Sequence, residues 1–170
     1  RDATDSHCLF DAVRGATEVI HSDATNAETT DADTLTSFDS DGFALGADVK
    51  VNTNTEKYVA WCWKANGAGS ANSDGSITTT ATSANTTSGV SIVKYTGTGS
   101  EATIGHGTGI VPKFILTRSL AVVRDWLPNH TGFANLQGRS YFNGNAAEYN
   151  ETGAYGDTAN TSSVWEVLTA

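Results

Sequence analysis

The sequence predicts an all-β protein, an antiparallel β-sandwich of the jelly-roll or lectin-like kind. Three observations predict it. Apolar and aromatic residues fall in about ten short runs at close spacing, the pattern of strands rather than helices. Gly, Asn, Ser, Asp and Thr, which favour turns, fill the gaps between them. Good helix formers are scarce: Met is absent, and Leu, Lys, Glu and Gln are few. The 170 residues fit one domain spanning 1–170, large enough to bury a core without a disulfide or a metal. A chain that opens at Arg1 and holds no Met is expected to be a fragment or a processed part of a longer protein.

Taken in order, Cys8–Val13 reads as a short strand, Arg14-Gly15 as a turn, and Thr17–His21 as the run that follows it. Residues 22–33 are polar and acidic, a surface loop. Leu35–Phe38 and Phe43–Leu45 flank Asp39-Ser40-Asp41-Gly42, which makes the clearest hairpin in the chain, with Gly42 expected at a positive φ. Tyr58–Lys64 alternates so that Val59, Trp61 and Trp63 share one side and Tyr58, Ala60, Cys62 and Lys64 the other. Both sides carry apolar bulk, so the run is expected to be a central strand, with Trp61 and Trp63 in the core and Cys62 buried as a small hydrophobe. Whether Cys62 pairs with Cys8 is open, since sequence does not show how near their Cα atoms lie.

Asn66–Ser70 is a flexible segment, and residues 76–88 read as a polar edge strand around Ile77 followed by a loop. Ser91–Tyr95, Ala102–Gly105 and Lys113–Arg118 are strands, with Gly105-His106-Gly107-Thr108-Gly109 a tight turn before the third. Later strand candidates are Ala121–Val123, Arg139–Phe142 and Ser163–Leu168. Leu127-Pro128-Asn129 is expected to interrupt a strand.

Charge narrows the partners. The net charge is −9, and residues 1–41 hold ten acidic residues against two basic ones. Such a field repels phosphate backbones, which argues against nucleic acid. The plain reading is solubility and turn-forming Asp; the sharper one is a carboxylate edge for a hard cation such as Ca²⁺. No apolar stretch is long enough for a membrane span, so no membrane insertion is expected.

Chemistry-bearing motifs are weak. His7, His21, His106 and His130 lack metal-ligand spacing, and Asp39–Gly42 begins like a calcium loop without its later ligands, so no metal and no cofactor is expected. No Gly-x-Ser-x-Gly elbow is present. Glu101, Asp125 and Glu166 are the carboxylates nearest to strands, with no supporting motif for glycoside hydrolysis. The expectation is no catalytic residues. The aromatics remain: Trp126, Tyr141 and Tyr155, with Tyr149, sit in polar, Gly-rich surroundings that suit surface residues stacking on a sugar or a partner. Trp126, Tyr141 and Tyr155 are the candidate ligand-binding residues.

Several pieces then combine: Phe10-Asp11-Ala12-Val13-Arg14-Gly15-Ala16, Ser37-Phe38-Asp39-Ser40-Asp41-Gly42-Phe43, Tyr58-Val59-Ala60-Trp61-Cys62-Trp63-Lys64-Ala65, and Gly89-Val90-Ser91-Ile92-Val93-Lys94-Tyr95-Thr96-Gly97. Ile104-Gly105-His106-Gly107 with Pro112-Lys113-Phe114-Ile115 completes the series. In order and spacing, over residues 8–118, these resemble a domain family of structural proteins from tailed bacteriophages, especially marine and environmental ones. The resemblance implies a non-enzymatic virion component, a tail-fibre or appendage module or a particle-surface protein. Its implied partners are other virion proteins and copies of itself. Lectin-like neighbours in the family imply the alternative, a carbohydrate-binding module that attaches to host surface glycans. The resemblance names a setting and supplies no catalytic residues.

Overall fold

The computed structural model describes residues 4–133, 138–145, 147–150 and 160–167. They form mostly β-strands in several small antiparallel sheets, with almost no helix. The first sheet joins β1 (Cys8–Asp11), β2 (Gly15–His21) and β3 (Thr29–Thr30). Its first turn is built by Asp11, whose Oδ1 accepts from the Val13 and Arg14 amides at 3.0 and 2.9 Å. Gly15 closes it at φ +121°, a conformation that side chains disfavour. The Arg14 guanidinium folds back onto Asp11 at 2.5 Å and Glu28 at 2.9 Å, and its side chain is only 8% exposed. Part of the acidic N-terminal third is thus spent internally, tying the 22–33 segment to the sheet. That segment also contains β3, which the sequence reading took as loop.

The expected hairpin is present as β4 (Leu35–Phe38) and β5 (Phe43–Leu45), with the Asp39 amide donating to Gly42 O at 3.0 Å. Gly42 does not take the positive φ expected of it. The loop Asp39–Gly42 is four residues long by register, and loops of that length form around type I turns, which need no left-handed residue. One turn of helix, α1 (Val49–Asn52), follows; the Asp48 side chain caps it by accepting from the Lys50 amide at 2.7 Å.

The hairpin of β6 (Ala81–Asn85) and β7 (Val90–Lys94) corrects the reading of residues 76–88. Ile77 makes only an isolated parallel bridge to Ile104, and the strand lies where a loop was expected. Small hydroxyls explain this, because they are buried with partners. Thr82 Oγ1 lies 2.8 Å from Thr79 Oγ1, and Ser83 Oγ accepts from the Asn66 amide at 2.8 Å.

Beyond it lie β8 (Ala102–Gly105), β9 (Phe114–Thr117), β10 (Leu127–His130), β11 (Gly138–Arg139), β12 (Tyr149–Asn150) and β13 (Val164–Val167). They pair as β8 with β13, β9 with β10, and β11 with β12. Leu127-Pro128-Asn129 does not break a strand: Pro128 sits in β10 opposite Leu116, in a two-stranded sheet where an edge tolerates a residue without an N–H. Ala121–Val123 forms no strand, and Arg139–Phe142 contributes only Arg139, in β11.

The core cluster is Ile77, Ala102, Ile104 and Trp165, with Val93, Tyr95, Ile115, Leu127 and Val167 packed on it. Strands β7, β8, β9, β10 and β13 therefore share one apolar centre. Tyr95 meets Trp165 edge to face at 6.2 Å.

The expected central strand is the largest correction. Tyr58–Lys64 belongs to no strand, and Trp61 and Trp63 are 76% and 64% exposed. Cys62 is exposed rather than buried, and no disulfide joins Cys8 to Cys62. The ends of the run are fixed elsewhere. Tyr58 Oη accepts from the Thr53 amide at 3.0 Å, beside α1, and Ser88 Oγ donates to Lys64 O at 2.8 Å. Between these ties, residues 59–63 make no main-chain hydrogen bond to the described residues.

Candidate functional site

A cleft of about 1720 Å³ opens between β7 and β9, with the β1–β2 sheet and the segment around Trp126 contributing to its wall. All of β7 and β9 lines it. Among the described residues β7 pairs with β6 and β9 with β10, and the other edge of β7 is unpaired. The floor includes Ile77, Val93, Ile115, Leu127 and Trp165, so the cleft reaches the core cluster.

Three buried side-chain polar atoms lack a hydrogen-bond partner among the described residues: Ser91 Oγ, Arg118 Nε and Trp165 Nε1. All three residues line this cleft. A buried donor without an acceptor costs about 1–3 kcal/mol. Two of the three are obligate donors, buried beneath the cleft surface rather than open to it.

The candidate residues divide. Trp126 lines the cleft but is 8% exposed, contrary to its expected surface position. It is held as a structural residue: its indole N–H donates to His21 O at 2.6 Å, and the Arg118 guanidinium lies over its ring at 5.2 Å. Arg118 Nη1 donates to His21 O and Ala24 O at 2.9 and 2.7 Å, and Nη2 donates to Asn26 O. Burial pulls the Arg118 guanidinium below its ordinary value, with Asp125 opposing. Polar neighbours placed Trp126 at the surface in the sequence reading, yet a Trp whose one polar atom has an acceptor is buried readily.

Tyr141 is half-buried and lines the same cleft; the Phe142 amide donates to Trp126 O at 3.2 Å, which brings the two segments together. Tyr155 lies outside the described residues, and so does the side chain of Tyr149. Of the three carboxylates, Asp125 lines the cleft and accepts from Asn143 Nδ2 at 2.9 Å, whereas Glu101 and Glu166 do not line it. Among the described residues no three His, Cys, Asp or Glu side chains gather as a metal-holding group.

His106 is a satisfied core residue in the expected tight turn. Its Nδ1 lies 2.8 Å from Thr108 Oγ1 and accepts from the Thr108 amide, and Nε2 lies 3.2 Å from Thr161 O. These partners assign the proton to Nε2. The ring stacks on Trp165 at 6.4 Å and 26°. His21 is half-buried near Arg118 and Trp126; burial lowers its pKa from the ordinary value, with Asp23 opposing and Lys50 and Arg118 reinforcing.

Sequence reasoning missed Ser91, Arg118 and Trp165. The alternation of Trp165 and Val167 in the last strand placed both on one face, which was a usable signal. That their face would meet a cleft depended on distant strands.

No curated protein and no solved structure matches the chain. A family model described as a domain of unknown function, DUF7483, matches residues 1–170, and the chain belongs to that family.

Proposed function

We propose that the chain is a non-enzymatic structural component of a tailed-bacteriophage particle, a tail-fibre or appendage module or a particle-surface protein, folded as a β-sandwich and assembled in several copies. The observation that carries this reading is the exposed aromatic run: Val59, Trp61 and Trp63 are 73%, 76% and 64% exposed on one short segment. Contiguous apolar surface of that kind marks a contact with another macromolecule. The resemblance of the motif series from Phe10 to Ile115 to structural proteins of tailed bacteriophages supports the particle setting. The sandwich is supported by the shared core of β7, β8, β9, β10 and β13, which gathers three of the small sheets around one apolar centre.

Purified particles provide the test. The chain is expected in stoichiometric amounts by quantitative mass spectrometry and located on the particle by antibody labelling. Absence from purified particles overturns it.

A second reading, a carbohydrate-binding module for host attachment, is favoured by one specific observation. Half-buried Tyr141 lines the cleft, and a sugar offers a face to stack on such a ring. A glycan array probed with and without Ca²⁺ tests it; binding in neither condition removes it.

A further inference from the structure

We propose that the Tyr58–Lys64 run of one copy enters the β7–β9 cleft of a second copy and is exchanged reciprocally, completing the sheet of each. This deepens the structural reading above and rests on it, because it names the partner of the exposed run.

Donor and acceptor match in three respects. The first is hydrogen bonding. Residues 59–63 carry main-chain groups without partners among the described residues, and β7 offers an edge that is likewise unpaired among the described residues. A strand laid along such an edge satisfies both sides, which is the basis of β-strand addition.

The second is polarity. The cleft reaches the apolar core, with Val93, Ile115, Leu127 and Trp165 in its lining. Trp61 and Trp63 supply apolar bulk that matches this lining. The run itself has no acidic residue between Tyr58 and Lys64, so it brings no negative charge into the cleft.

The third is area. Tyr58, Val59, Trp61 and Trp63 together leave roughly 500 Å² of side chain in water, taking aromatic side chains at their usual 150–250 Å². Each copy gives one run and receives one. Reciprocal exchange therefore covers on the order of 2,000 Å², enough for a stable specific interface.

Insertion into the cleft of the same copy is disfavoured by the ties at both ends. The contacts of Tyr58 with the α1 end and of Lys64 O with Ser88 hold the run where it stands, although Trp63 borders the cleft mouth. A second copy meets the run without breaking either tie. Run and cleft are different surfaces of one chain, so reciprocal exchange about a two-fold axis closes the assembly at two copies, whereas one-way insertion would extend it as an open chain.

Sedimentation velocity of the whole chain from about 1 to 200 µM, a span that brackets micromolar association, reads the exchange directly. The expected result is a shift from monomer to dimer with rising concentration. The double variant Trp61→Asp with Trp63→Asp, at exposed positions that leave the fold intact, is expected to remain monomeric throughout. A synthetic peptide with the sequence of residues 57–65 is then expected to bind that variant, and the same peptide with both Trp replaced by Ser is not. A wild-type monomer at every concentration overturns the proposal, as does undiminished association of the double variant or failure of the native peptide to bind it. A chain that stays monomeric alone but is present in purified particles loses the exchange and keeps the structural role, so the two failures are distinguishable.

Discussion

The four tryptophans form two pairs, and three of the four lie opposite to where the sequence places them. Trp61 and Trp63 lie on a strongly apolar, β-prone run and are exposed; Trp126 and Trp165 are 8% and 4% exposed, the first of them amid polar neighbours. The difference separates two properties that a pattern of side chains conflates. Apolar bulk on both faces of a run says that the run is suited to burial, but not that a partner strand exists in the same chain to bury it. Polar neighbours say that a segment reaches water, but not that its aromatic does. Trp126 is buried because His21 O accepts its indole proton and Arg118 covers its face.

Substitutions should separate the pairs sharply. Replacing Trp165 with Ala removes the largest side chain of the core cluster and should cost about 3–5 kcal/mol in urea unfolding. A loss below about 1 kcal/mol, the level of an ordinary surface change, would place Trp165 outside the core. Arg118→Ala uncaps the carbonyls of His21, Ala24 and Asn26 and bares Trp126, and should cost about 2–3 kcal/mol by the same measurement. Thr55 holds φ +72°, a left-handed conformation that a β-branched residue enters only under strain, at the turn leading into the aromatic run. Thr55→Gly should therefore stabilise the protein by about 1 kcal/mol. Trp61→Ser with Trp63→Ser should change the stability of the isolated monomer by no more than about 0.5 kcal/mol, measured at low protein concentration.

Acid should weaken the Trp126 region first. The folded protein disfavours the protonated form of His21, so the unfolded chain binds its proton more readily. Stability is then fully present above the ordinary His pKa of 6.5 and is lost as pH falls from there toward the lower folded value. Unfolding midpoints measured from pH 8 to pH 5 check this, and His21→Gln, which removes the titration, should flatten that part of the profile.

Much of the strand inventory was legible because it depends on local alternation and turn chemistry. Leu35–Phe38 with Phe43–Leu45 lies at the residues expected, and so do the strands from Val90, Ala102, Phe114 and Val164. What failed was decided by distant groups. Strand β6 forms because Thr79 and Asn66 lie where the hydroxyls of Thr82 and Ser83 can meet them, and no local pattern announces such bonds. The cleft was illegible for the same reason, since Ser91, Arg118 and Trp165 converge from three parts of the chain. Of the candidate residues, Tyr141 and Trp126 border the cleft, but only the burial of Trp126 reveals that its ring is already occupied by Arg118.

Hydrogen exchange of the peptide covering residues 59–63, followed by mass spectrometry at low and high protein concentration, tests the central claim most directly. With no main-chain hydrogen bond to the described residues, these amides should exchange as fast as an unstructured chain when the protein is dilute. They should become protected as concentration rises and the run enters a second copy. Strong protection at every concentration would contradict the account, because it would show the run already paired as a strand within its own chain.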